Sequence, residues 1–255
     1  MPPAKSPKGR SILEVMLVFT LILLIQWVWR TTWLSQLQAR LLRWNYFSHV
    51  VFIAVPILIL LGARRSFACY GLSLGNWRYG LTWGGVFVGA LAAPPLVGLA
   101  FGWAKAELPT YLLSTLIFQI IFSGFGEEIL FRGYFQSRMN EEFGRPFEWG
   151  GLRFGLGSIL TSLMFGLAHV LNPFSPFQGS FALDWWSGLN TGLVGLFLGF
   201  VREKTGSILM AGMIHGFVGV MYTFVHGETS TLILHGVGWG IAWFLLFAAF
   251  SGSRA

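Results

Sequence analysis

The residues of this sequence best suited to chemistry lie in Phe122–Tyr134, FSGFGEEILFRGY, where Glu127, Glu128 and Arg132 interrupt an otherwise apolar, glycine-rich run. Glu128 and Arg132 are four residues apart, so on a helix they share a face and can form an ion pair. The preceding Tyr111–Phe125 carries no charge, which suits a segment in lipid. A charge at that depth is costly unless it meets a partner or a watered cavity. The Glu128–Arg132 pair can satisfy itself, which leaves Glu127 surplus. A surplus carboxylate inside a membrane segment marks a functional site by default. Two histidines share its context: His169 closes SLMFGLAH, and His215 sits within SILMAGMIHGFVG. At about 1.5 Å of rise per residue, His215 lies about 12 Å into its segment, and Glu127 and His169 about 16 Å into theirs, all measured from the same side. A carboxylate and two imidazoles from three helices can therefore converge at one level. His49, His226 and His235 read as packing groups bonded to nearby backbone, and Glu14 and Asp184 as interfacial.

The elements that must position these groups follow from composition. Of 255 residues, 55% are hydrophobic and only 11% charged, and the mean hydropathy is +0.65. A water-soluble globule could not hide that much apolar surface, so the expectation is an all-α, polytopic integral membrane protein enclosing an intramembrane polar site. The 12 Trp and 25 Phe suit interfacial anchoring as well as interior packing. The net charge of +7 does not point to nucleic acid, because Lys and Arg fall between hydrophobic runs and unequally on the two sides. A single cysteine, Cys69, excludes an internal disulfide and a cysteine-rich metal site. Met1–Arg10 is basic, but no small-residue cleavage signature follows the next apolar run, which reads as a retained first span.

About eight spans are expected: Ile12–Trp29, Tyr46–Leu61, Leu81–Phe101, Tyr111–Tyr134, Leu156–Leu171, Trp185–Val201, Ser207–Val225 and Thr231–Phe250. Pro94–Pro95 predicts a kink or break in the third. The fourth should continue as an amphipathic helix through Arg138, and Gly150–Gly157 should lie along the interface. Asn172–Ser180, with two prolines, is the clearest loop. With eight spans both termini share a side, and 13 of the 17 Lys and Arg residues fall there, against Arg30, Arg40, Arg43 and Lys105 opposite. The positive-inside rule makes that side cytoplasmic, with the bacterial inner membrane the expected location.

On these residues the chain resembles the CPBP family of intramembrane proteases, the CAAX prenyl protease-like or Abi family. Its EExxxR motif matches Glu127 through Arg132, with the commonly following Gly133. Its FxxxH motif matches Phe165 through His169. Its HxxxN motif matches His215 but finds Gly219 where Asn is usual, and REKTGSIL (Arg202–Leu209) is similar to the usual approach to that histidine. The chain is read as one membrane domain, residues 1–255, with a CPBP-like core over 118–220. The resemblance implies a glutamic-type endopeptidase that cleaves near the terminus of a lipidated or membrane-anchored protein. Glu127 would activate water, His169 and His215 would assist, and Glu128 with Arg132 would orient the helix. No cofactor is required on this reading, although Glu127, His169 and His215 could form a zinc set with an open water position. Gly219 leaves space beside His215 that Asn190, a water or a substrate backbone could fill. The rival readings are an impaired relative acting as a scaffold or bacteriocin-immunity protein, and an ion-coupled transporter using Glu and His as a relay.

Overall fold

The structure, a computed structural model, describes residues 9–226, 229–250 and 252, and gives the backbone alone for residues 226 and 229–231. Among the described residues the chain is almost entirely helical. The helices are α1 (Arg10–Arg30), α2 (Trp33–Leu42), α3 (Tyr46–Gly62), α4 (Trp77–Ala100), α5 (Leu112–Phe143), α6 (Leu156–Val170), α7 (Trp185–Thr205), α8 (Leu209–Phe224) and α9 (Thr229–Leu245, continued by a π-helical turn Leu246–Phe250). Each of the eight expected spans is found as a helix. By length and composition α1, α4, α5 and α9 can each cross a membrane alone. The shorter or more polar α3, α6, α7 and α8 pack between them. The surface is inverted relative to a soluble protein: Leu58, Leu163 and Phe244 are exposed, whereas Glu128 and Arg132 are fully buried. The protein is a helical, polytopic membrane protein.

The ninth helix, α2, was not expected. Its ten residues are amphipathic and none is buried, so it is too short and too polar to be a span. The Thr32 side chain caps it by accepting from Ser35 N at 3.2 Å. It meets α3 at 108°, and Asn45, accepting from Ser48 N at 3.3 Å, starts the new helix. Trp44 stacks on Phe118 of α5 with ring centroids 4.8 Å apart, and Tyr46 donates to Ser114 O at 2.7 Å. This corner fixes where the first turn of α3 stands against α5.

Of the kink or break expected at Pro94–Pro95, the break does not occur: α4 runs through both. The two missing N–H groups free the carbonyls of Ala90 and Leu91. Gly238 of α9 lies against them, since a Cβ placed there would come within 3.4 Å of Ala90 O and 3.1 Å of Leu91 O. The stretch expected along the interface is a hairpin. Strands β1 (Phe147–Trp149) and β2 (Leu152–Phe154) pair antiparallel, with Trp149 opposite Leu152 and positive φ at Gly150 and Gly151. The Asn172–Ser180 loop also closes on a short antiparallel pair, Phe174 opposite Phe181 and Ser175 opposite Ser180.

The cytoplasm-facing half of α5, on the expected topology, is held by two carboxylates from other helices. Glu14 of α1, expected to be merely interfacial, accepts both terminal nitrogens of Arg65 at 2.6 and 2.9 Å, Arg138 at 2.9 Å, and the Tyr134 hydroxyl. The hydrogen bond to Glu14 raises the Arg65 pKa, and burial with the bond to Glu141 pushes the Tyr70 hydroxyl up, so neither changes charge near neutral pH. Glu203 of α7, fully buried, accepts from Gln136 at 2.8 Å, Asn140 at 2.5 Å, Ser158 at 3.0 Å and Arg145. Replacing Glu203 with Ala strands two buried donors, Asn140 Nδ2 and Ser158 Oγ, while Gln136 keeps Gly199 O, and this should destabilise the fold by about 3 kcal/mol. A fall of several degrees in the melting temperature in detergent is the expected reading, and an unchanged one would remove this anchor from the account.

Candidate active site

Between Phe118 and Phe135 α5 is wound as π-helix, in two runs, Phe118–Glu127 and Ile129–Phe135. Bonds from i to i+5 put more residues in each turn, so successive side chains diverge less than on an α-helix. Glu127 and Glu128, adjacent in sequence, can thus both turn inward. Such winding is rare and occurs mostly at functional sites. A 3.6-residue period did not foresee it.

Glu128 accepts from Arg132 Nη1 at 2.9 Å, as the spacing implied, and neither group is exposed. The Arg132 guanidinium also lies 4.3 Å from the centre of the Phe165 ring on α6. Gly195 of α7 admits this arrangement, since a Cβ there would come within 2.8 Å of Arg132 Nη2. Phe165, the first residue of FxxxH, therefore forms the floor under the guanidinium. Its carbonyl lies 2.9 Å from His169 Nδ1, so that nitrogen carries the proton and the lone pair of neutral His169 is on Nε2. His215 Nδ1 lies 2.9 Å from the same oxygen of Glu128, which likewise leaves the lone pair on Nε2.

Glu127, nearly buried, has its two oxygens in different situations. Oε1 lies 2.9 Å from His49 Nε2 and 3.5 Å from Ser123 Oγ. Oε2 is buried with no hydrogen-bond partner and stands 3.9 Å from His215 Nε2. His169 and His215 both pack edge-on to the Phe165 ring, with ring centroids 4.6 and 5.8 Å from it. The convergence of Glu127, His169 and His215 from α5, α6 and α8 is thus the arrangement found.

His49 corrects the expectation that it is a packing group. The only sequence signal for it is the unpaired charge of Glu127, which needs some counter-group. His49 Nδ1 also faces the Asn45 carbonyl at 3.1 Å, so both ring nitrogens meet acceptors. A neutral imidazole has one N–H, so either His49 is doubly protonated or Glu127 holds the proton. His235 does fit the packing role, 3.2 Å from Val225 O, while the His226 side chain lies outside the described residues. Asp184 caps α7 by accepting from Ser187 N at 2.9 Å.

Asn190 does not reach the site. It is exposed and donates to Trp186 O of its own helix at 3.1 Å. The space beside Gly219 is taken instead by Gln119 of α5, whose Oε1 would lie 2.4 Å from a Cβ built at 219. Among the described residues no group of three or more His, Cys, Asp or Glu is disposed to hold a metal ion.

The fold and the site together define a polytopic helical membrane protein with an acid–base cluster buried among its helices. Residues 109–221 match the family model described as type II CAAX prenyl endopeptidase Rce1-like. That segment, α5 through most of α8, is similar to this family, as EExxxR and FxxxH implied, and it contains every expected site residue but not His49. No curated protein and no solved structure matches the chain.

Proposed function

We propose that the protein is an intramembrane endopeptidase that hydrolyses a peptide bond near the terminus of a lipidated or membrane-anchored protein. The observation that carries this reading is the unpartnered Oε2 of Glu127 facing Nε2 of His215 across 3.9 Å. A water at roughly 2.8 Å from each would donate one proton to the carboxylate and one to the imidazole, leaving a lone pair for the substrate carbonyl. Glu127 takes the proton as the oxygen attacks the carbonyl carbon, and the lone pair of His169 serves to pass it to the leaving amine. Glu128, held by Arg132, keeps His215 in the tautomer this requires. The steps proposed here use these side chains alone and assign none to a metal.

The test is cleavage of a prenylated C-terminal peptide, and of the same peptide without its lipid, by the purified protein in detergent, with products identified by mass. The lipidated peptide should be cut at one bond, equally well after prolonged chelation. Loss of activity on chelation, restored by zinc, would overturn the metal-free mechanism. No cleavage of any lipidated or membrane-anchored peptide would overturn the peptidase reading and favour a scaffold. The charge bias further supports cytoplasmic termini. Reporters at Ala255 and within Asn172–Ser180 should lie on opposite sides of the membrane, and the same side for both would sink that topology.

A further inference from the structure

We propose that Gln119 supplies the site's side-chain amide, reaching from α5 into the place that Gly219 leaves open on α8, and that this amide faces the substrate carbonyl. The inference rests on the peptidase reading above. Gly219 follows His215 by four residues, so both lie on one face of α8. A Cβ at 219 would come within 2.4 Å of Gln119 Oε1 and 3.1 Å of its Cδ. The amide thus occupies the volume in which a side chain at 219 would start, on the same face as the histidine. It is buried, with 8% exposure.

Its orientation is fixed by Thr223. That hydroxyl donates to Gly219 O at 2.8 Å, so its oxygen is free to accept, and it does so from Gln119 Nε2 at 3.2 Å. One amide N–H is used in this way. The second has no side-chain partner among the described residues. An unused donor in an apolar bundle is costly unless a polar ligand meets it. Packing does not require it, since α5 and α8 already touch through Gly124 and Gly216. Preorganised Asn or Gln amides are the groups that stabilise a developing oxyanion. A glutamine on α5 and a glycine on α8 place such a group where an asparagine on α8 would otherwise carry it.

The test compares wild type, Gln119→Leu, Gly219→Asn, and Gln119→Ala combined with Gly219→Asn, each checked for folding by its melting temperature in detergent. Gln119→Leu should lower kcat roughly 10²–10³-fold, the cost of losing one oxyanion donor, with KM changed little. Gly219→Asn should also lose turnover, because its side chain collides with the Gln119 amide. The double variant returns an amide from α8 into an emptied space and should exceed Gly219→Asn in kcat by about tenfold or more, a partial return of that donor's effect. Relief of the collision alone would raise the double variant no further than the level of Gln119→Leu, so a kcat above that level is the contribution of the returned amide. Where Gln119→Leu does not fold, Gln119→Met, closer in shape, carries the comparison. Full turnover in a folded apolar variant beside an active wild type overturns the inference, as does a double variant no better than Gly219→Asn. An inert wild type removes the peptidase reading itself, and this inference with it.

Discussion

Glu127→Gln should abolish hydrolysis while leaving the protein folded. A positioned general base contributes on the order of 10²–10⁴ in rate, and the amide of Gln has no basic lone pair to take a proton from water. The substitution keeps the shape of the side chain. It also removes the one carboxylate that is surplus to the Glu128–Arg132 pair, and the amide oxygen can still accept from His49 Nε2. The melting temperature should therefore change little. Retention of turnover within about tenfold of wild type, below the span a general base supplies, would exclude Glu127 as the base.

Arg132→Met should do the opposite and act through the fold. Glu128 is then fully buried with only His215 facing it, and breaking a buried pair by removing one member costs roughly 3–5 kcal/mol. The stack on Phe165 is lost as well. Lysine is not expected to substitute, because a single ammonium cannot both bond Glu128 and lie flat on the Phe165 ring. Glu128→Gln combined with Arg132→Met removes both charges and should be less destabilised than Arg132→Met alone. The measurements are the yield of folded protein and its melting temperature in detergent. Additive losses in the double variant would show that the pair is not coupled.

The parts of this site that were legible in the sequence are those written along one helix. Glu128 and Arg132 are four apart, Phe165 and His169 are four apart, and the absence of charge before Glu127 marks the segment as one for lipid. The same local signals gave the eight hydrophobic helices. What escaped depends on packing between helices. His49 is 78 residues from Glu127, and its contact follows from the corner between α2 and α3. Gln119 and Gly219 are complementary only because α5 and α8 touch at that level. Pro94–Pro95 reads as a break until Gly238 is seen lying against the freed carbonyls. The π winding of α5 has no hydropathy signature, since widening a turn does not alter which residues are apolar.

One seam sets the tolerance of the whole arrangement. A Cβ on Gly124 would fall 2.7 Å from the Gly216 Cα and 2.9 Å from the Gly212 carbonyl, so α5 and α8 rest backbone on backbone. His215 is the neighbour of Gly216, and it reaches across that seam to Glu128 at 2.9 Å. Main chain against main chain has no rotamer to give way, so the two glycines act as a spacer of fixed thickness, and the distance between acid and imidazole is inherited from it. A methyl group at either glycine would act as a shim. It would move the His215 imidazole without touching it, and in the proposed mechanism a displacement of about 1 Å is enough to cost roughly 10²-fold in rate.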